Sequence, residues 1–289
     1  NLAEMKNSSA DISPTAGQMP RLLGLAQASK IYRHHENLEN VEKFSKDGNE
    51  VAFGTIGDSS TSEGLFWETI NAAGVLQVPM VMSVWDDGHG ISVPKKYQTT
   101  KESISEVLKG FQREKGKSNG YEIFKTKGWD YAGLIETYEK AVKVAREEHC
   151  PVLIHVEEVT QPQGHSTSGS HERYKSKDRL AWEAEYDCIA QLGKWIIKHE
   201  MATEEDLEEI KKEAKKVVRE SKKAAWDSFV SKVMSEKFEA LDILEAMQQE
   251  HGEETYINEA IDSLKALNEP LRKELMGVTK KVVRKSRHL

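Results

Sequence analysis

Four short apolar runs, each closed by small or polar residues, punctuate the first 160 or so positions: VAFGTIG (51–57), PMVMSVW (79–85), YEIFKTKGW (121–129) and PVLIHVEEVT (151–160). Runs of this length bounded by turn residues read as buried strands. Between them lie stretches with helical spacing. A polar turn, SPTAGQ, leads into one from about Met19, SEGLFWETINAAGVLQ (62–77) is a second, TKESISEVLKGFQ (100–112) a third, and DYAGLIETYEKAVKVAREEH (130–149) a fourth, with Asp130 placed to cap its start. HENLENVEKFSKDGNE and ISVPKKYQTT read as loops. Strand and helix alternate from residue 51 to residue 160, which predicts an α/β fold with a parallel sheet covered by helices on both faces.

From Lys175 the pattern changes. The segments to Leu289 are helical in period and rich in Glu, Lys and Ala, with no strand signal and no internal repeat. The expected organisation is therefore a sheet domain over 1–175 and an all-helical extension over 176–289 packed on it, whose charge runs are solvated helix faces.

Composition narrows the class. With 289 residues, 31% charged and a net charge of −7, the chain gives no hint of a nucleic-acid surface. No apolar run reaches membrane-spanning length, and no signal-peptide pattern opens the chain. Two cysteines, Cys150 and Cys188, form neither a CxxC pair nor a disulfide framework, so a reducing compartment and buried structural roles are expected. Asn1 is not a methionine, and a missing N-terminal part is expected.

Two acidic turns carry the candidate chemistry: GDSSTSEG (57–64) after the first strand and WDDGHGISVP (85–94) after the second. In an open parallel sheet, ligands sit beyond the carboxyl ends of the strands. The first turn is small and opens directly into a helix, whose free backbone N–H groups favour an anion. Asp58 and Asp87, 29 positions apart, are hard oxygen donors, and a phosphate beside two acids suits a bridging Mg²⁺ or Ca²⁺. The plain alternative is a strand-to-helix turn with a capping serine. For His155, inside VLIHVEE, the expected role is a hydrogen-bonded strand histidine, and for Trp67 and Trp85 it is packing.

Four blocks in order, ISPTAGQMP (12–20), GDSSTSEG (57–64), DDGHGISVP (86–94) and QGHSTSGSHERYKS (163–176), resemble the alpha subunit of the thiamine diphosphate-dependent decarboxylating component of 2-oxoacid dehydrogenase complexes. KGWD (127–130) sits where that family has a similar turn, and HSTS is similar to its branched-chain branch. The resemblance covers roughly the first 180 residues. It implies the thiamine diphosphate-binding fold, with Asp58, Asp87 and the His89 carbonyl holding Mg²⁺ and with Gly57, Ser59 and Ser60 lining the diphosphate. Ile91 is implied beside the cofactor. Ser13 and Thr15 would lie near the aminopyrimidine ring, or Ser13, Gly17 and Gln18 would form a structural K⁺ site. His165 would act over the active site, on the diphosphate or the reacting intermediate, and Ser166 occupies the position phosphorylated in mitochondrial relatives. The implied partners are a beta subunit, or a fused beta half, with the pyrimidine-binding domain, and the lipoyl domain of an acyltransferase core, in a two-fold assembly such as a heterotetramer. The implied compartment is the bacterial cytoplasm, or the mitochondrial matrix in a eukaryote.

Two positions depart from the family pattern. Ser59 stands where a Gly or Ala-like residue is usual, and Asp87 where Asn is usual; with Asp86 next to it, this places extra negative charge near a diphosphate. That keeps open a cofactor-impaired scaffold subunit of the same fold. A transketolase-like enzyme is the other thiamine reading, and a nucleotide-binding α/β protein is opposed by the lack of a GxxxxGK[ST] loop. The substrate side chain, pyruvate or branched-chain, is open.

Overall fold

The computed structural model describes residues 14–35, 37–117, 119–252 and 254–287. These fall into two compact units, one reaching to Met201 and the other starting at Ala202. The first holds six strands: β1 (Ala52–Gly57), β2 (Met80–Trp85), β3 (His89–Gly90), β4 (Val93–Pro94), β5 (Glu122–Lys127) and β6 (Val152–Glu157). Four of them make a fully parallel sheet in the order β1-β2-β6-β5, and β3 and β4 form a short antiparallel hairpin. Helices α1 (Met19–His34), α2 (Gly64–Leu76), α3 (Ile104–Val107), α4 (Tyr131–Glu148), α5 (Lys177–Glu185) and α6 (Cys188–Lys198) belong to the same unit. The expected boundary after residue 175 thus falls before two helices that cluster with the sheet.

Alternation along the central strands explains the layering. Met80, Met82 and Val84 of β2 and Leu153 of β6 pack with Met19 and Ala26 of α1 and with Phe66, Ile70 and Ala73 of α2. Val81, Val152, Ile154 and Val156 face the other way, onto Ala141 and Ala145 of α4. Asp130 caps α4, accepting from Gly133 N–H at 3.0 Å. The strand over 51–57 is not buried throughout as expected. β1 is an edge strand of the described sheet, and its burial alternates, leaving Phe53 44% exposed. The helix expected over 100–112 is likewise broken into a 3-10 turn at Thr100–Glu102, the single turn α3, and a 3-10 turn at Leu108–Phe111. Lys101 and Glu102 take positive φ, which a right-handed helix does not admit, so the chain turns there instead of running as one cylinder, while Ile104 and Leu108 join the core.

The second unit is helical, with α7 (Glu204–His251), α8 (Thr255–Lys265) and α9 (Arg272–Lys285). Val233, Leu241 and Leu244 pack against Ile257, Ile261 and Leu264 of α8 and Leu275 and Val282 of α9. Thr203 and Asp206 close a reciprocal capping box at the start of α7. Both cysteines are free, Cys150 buried and Cys188 half-buried. No helix among the described residues is long and apolar enough to cross a membrane.

Candidate functional site

Parallel register brings the two acidic turns together. Gly57 pairs with Trp85, and Trp85 with Val156, so the next residue on each strand lies just beyond the carboxyl edge of the sheet. The ladder runs on by one step: Asp58 N–H donates to the Trp85 carbonyl at 3.0 Å, and Asp86 N–H to that of Val156 at 2.9 Å. After Asp58 the chain makes a 3-10 turn, Ser59–Ser62, tied by the Thr61 hydroxyl to the Asp58 carbonyl at 2.6 Å, and only then enters α2 at Gly64. After Asp87 it makes the β3–β4 hairpin, where Gly88 and Ile91 take positive φ, at 80° and 59°. Gly90 lies against the first turn, since a Cβ there would come within 2.6 Å of Ser59 Cβ.

The three carboxylates differ sharply. Asp86, 2% exposed, accepts from Lys95 Nζ at 2.7 Å, His155 Nε2 at 3.1 Å and Gly88 N–H at 2.9 Å. Burial alone would raise its pKa, but the His155 and Lys95 hydrogen bonds and charges bring it down to about 2. Asp58, 6% exposed, has a buried Oδ2 with no partner. Burial, then the charges of Asp86 and Asp87, push its carboxyl up to about 7. Asp87 is half-buried, and burial raises its pKa despite the His89 N–H it accepts at 3.1 Å. The His89 imidazole is pushed down by burial, and its ring lies 5.6 Å from that of Tyr174.

Thus Asp58, Ser59, Asp87, His89 and the hairpin form one cluster, with Gly57 and Ser60 in the same turn and Ile91 at the exposed hairpin tip. Thr15 is exposed, in the turn before α1 where Gly17 N–H donates to the Pro14 carbonyl at 3.0 Å; Gln18 ends that turn, and Ser13 lies outside the described residues. His165 bonds within its own loop, its Nδ1 meeting Thr167 N–H at 3.1 Å and the Thr167 hydroxyl at 2.9 Å. That loop reaches the hairpin through Tyr174, whose hydroxyl is 3.1 Å from Ser168 Oγ and whose ring faces His89. Trp85, expected to be packed, is half exposed at the edge of the sheet, its indole N–H on Ser83 Oγ at 3.0 Å.

Sequence reasoning missed how Asp86 is engaged. His155 is the satisfied strand histidine expected, with Ser105 Oγ 2.8 Å from Nδ1, but its other nitrogen fixes Asp86. It also missed a buried network: Lys175 Nζ lies 2.8 Å from both Glu183 oxygens, Arg179 Nε is 2.8 Å from Glu183 Oε1, and Arg179 Nη2 donates to the Asp87 carbonyl at 2.8 Å. The i, i+4 spacing of Arg179 and Glu183 on α5 was the available signal.

Among the described residues no group of three or more His, Cys, Asp and Glu side chains is arranged to hold a metal by itself. Mg²⁺ is commonly held by one or two carboxylates with substrate phosphates and waters completing the octahedron, so Asp58 with its unpartnered Oδ2 and Asp87 fit that mode.

The chain is similar to proteins of known family. The model of the family described as "Dehydrogenase E1 component" matches residues 5–233. The chain is 25% identical over 181 residues to the pyruvate dehydrogenase E1 component subunit alpha of Rickettsia bellii, covering 63% of this chain and 52% of the relative. It is 30% identical over 203 residues to the chloroplastic subunit alpha-3 of pyruvate dehydrogenase E1 from Oryza sativa (70% and 44%), and 28% identical over 219 residues to the mitochondrial 2-oxoisovalerate dehydrogenase subunit alpha 1 of Arabidopsis thaliana (74% and 41%). The chain spans about half the length of the curated relatives it matches. With the family model covering most of the chain, and with the parallel sheet and its paired acidic turns as described, the chain belongs to the dehydrogenase E1 component family.

Proposed function

We propose that this chain supplies the diphosphate and metal half of an active site that uses thiamine diphosphate and Mg²⁺ for oxidative decarboxylation of a 2-oxoacid, with acyl transfer to a lipoyl group. The observation that carries the reading is the unpartnered, buried Asp58 Oδ2 beside Asp87, at the carboxyl edge of a parallel sheet. When bound, the cofactor supplies the carbon nucleophile and the electron sink.

The chain's own residues hold and orient. Asp58 and Asp87 hold the cation with their carboxylates, and His89 adds its carbonyl. Gly57, Ser59 and Ser60 bring a small, close backbone to the diphosphate, and Ile91 borders the cofactor. Thr15 and Ser13 border the aminopyrimidine side, with Gly17 and Gln18 as the alternative K⁺ site. His165 acts on the diphosphate or on acyl transfer. Its Nδ1 accepts from Thr167 N–H, which in the neutral ring places the proton on Nε2, so this histidine is an Nε2–H donor towards an oxygen. The remaining half belongs to a beta subunit or a fused beta half, in a two-fold assembly that meets a lipoyl domain. The compartment is the cytoplasm of a bacterium or the matrix of a mitochondrion.

The second reading is a scaffold subunit of the same fold with an impaired cofactor site; the third carboxylate packed beside Asp58 and Asp87 favours it. Calorimetric titration of thiamine diphosphate with Mg²⁺, with and without the partner half, separates the two. Tight binding with the partner, abolished by Asp58→Ala, is expected. No binding in either state moves the scaffold reading to the front.

A further inference from the structure

Lys175, Arg179 and Glu183 have no part in the roles assigned above, yet they form an ionic network with a deeply buried centre. The Lys175 and Glu183 side chains are 1% and 2% exposed. One carboxylate is shared by two cations, Lys175 through both oxygens and Arg179 through Nε. The network therefore carries a net positive charge, and buried charge of this kind is costly unless something opposes it. What it faces is the second acidic turn: Arg179 Nη2 grips the Asp87 carbonyl at 2.8 Å, and the Lys175 ammonium acts on the Asp87 carboxyl. Arg179 is itself braced, its guanidinium 4.7 Å over the Trp182 ring, and Ser176 caps α5 by accepting Arg179 N–H at 3.2 Å. Asp86, next in the chain, is offset separately by Lys95 and His155. Asp86 thus has cationic partners at its carboxylate, while Asp87 is held by Arg179 at its carbonyl, and its carboxylate stays with that of Asp58 for an external cation.

We infer that Lys175, Glu183 and Arg179 are positioning residues that balance the charge of Asp87 and clamp its carbonyl, so that a carboxylate can serve in the second ligand turn beside a diphosphate. The inference rests on the cofactor reading above. In it Arg179 sets the backbone of the turn, and Lys175 sets the electrostatics.

The test is a double-mutant cycle of Lys175→Met with Asp87→Asn, in this chain co-expressed with its partner half. For Mg²⁺–thiamine diphosphate affinity, Lys175→Met should cost about tenfold or more when position 87 is unchanged, and less than about threefold in the D87N background. A merely structural lysine would weaken binding equally in both backgrounds, and that result overturns the inference. The stranding of Glu183 is common to both arms and cancels. Arg179→Met should speed amide exchange at Gly88 and His89 by about tenfold, with Arg179→Lys restoring most of the protection; unchanged exchange removes the clamp. If the unsubstituted protein binds no cofactor, the cofactor reading fails by itself, and the same cycle read by melting temperature of the ligand-free protein still decides: K175M must destabilise more in the presence of Asp87 than in the D87N background.

Discussion

Lys95 Nζ lies 2.7 Å from Asp86 Oδ2, and this ion pair decides which of three neighbouring carboxylates is left for a cation. Asp86 is ionised and fully engaged, so Asp58 and Asp87 are the carboxylates left for a cation, with one further charge already beside them. Lys95→Met should leave Asp86 with His155 and Gly88 alone. Removing one partner of a buried pair costs 3–5 kcal/mol, and because the Lys95 side chain is 32% exposed and screened, about 2 kcal/mol is expected here. The pair's contribution is present above about pH 4 and lost as the pH falls towards 2, because the folded carboxyl is depressed. Denaturant melts at neutral pH and at pH 3 check this: the difference between wild type and K95M should shrink in acid.

Asp58 has the opposite sign. Its folded pKa is raised from 3.8 to about 7, so the folded chain holds the proton more tightly than the unfolded one. That stability is complete below about pH 4 and lost as the pH rises through about 7. Asp58→Asn, neutral throughout, should match the ligand-free wild type near pH 4 and melt higher than it at pH 8. Mg²⁺ with the diphosphate should raise the wild-type melting temperature at pH 8 and leave that of D58N unmoved. A parallel pH dependence for the two proteins would show that Asp58 is not the strained carboxyl.

Ser105, His155 and Asp86 form a buried chain, with 2.8 Å and 3.1 Å links. Ser105→Ala strands His155 Nδ1 and should cost about 1–3 kcal/mol. His155→Ala, which also opens a cavity beside Ser105 and releases Asp86, should cost more and should lower Mg²⁺ affinity as well. Equal effects on stability, with affinity untouched in both, would confine the histidine to packing.

Gly90 is the contact point of the two turns. A Cβ there would meet the end of the flexible Gln98 side chain at 2.5 Å, which can swing away, and Ser59 Cβ at 2.6 Å, which moves only with the turn that follows Asp58. Gly90→Ala should destabilise by about 1–3 kcal/mol and weaken cofactor binding. Ser59→Gly, by removing the obstructing atom, should rescue it. Failure of the rescue, with the folded state intact, would place the damage elsewhere in the hairpin.

The fold was legible where one residue's environment followed from its neighbours in the chain. The four strands, α2 and α4 with its Asp130 cap are in place, because apolar runs of strand length and helix-spaced stripes each have one way to bury themselves. The break at Thr100–Phe111 was not legible: a helical period was there, but Lys101 and Glu102 take positive φ, which no local pattern announced. At the site, GDSSTSEG and DDGHGISVP were readable as a pair, and the order of the four blocks pointed to the family that the comparison shows.

By itself, then, the sequence determined the alternation that makes a parallel sheet, the helical character beyond Lys175, and the two acids that open the turns after the first two strands. Only the tertiary structure decided what each acid is. Asp86 and Asp87 are identical neighbours in the chain, yet one has its carboxylate on Lys95 and His155 and the other is held by Arg179 at its carbonyl. Those partners come from a loop, a central strand and a helix as far as 92 positions away. The ionisation of a carboxylate depends on burial and on charges within a few ångströms, and which charges come that close is a property of the packed chain and not of its local pattern.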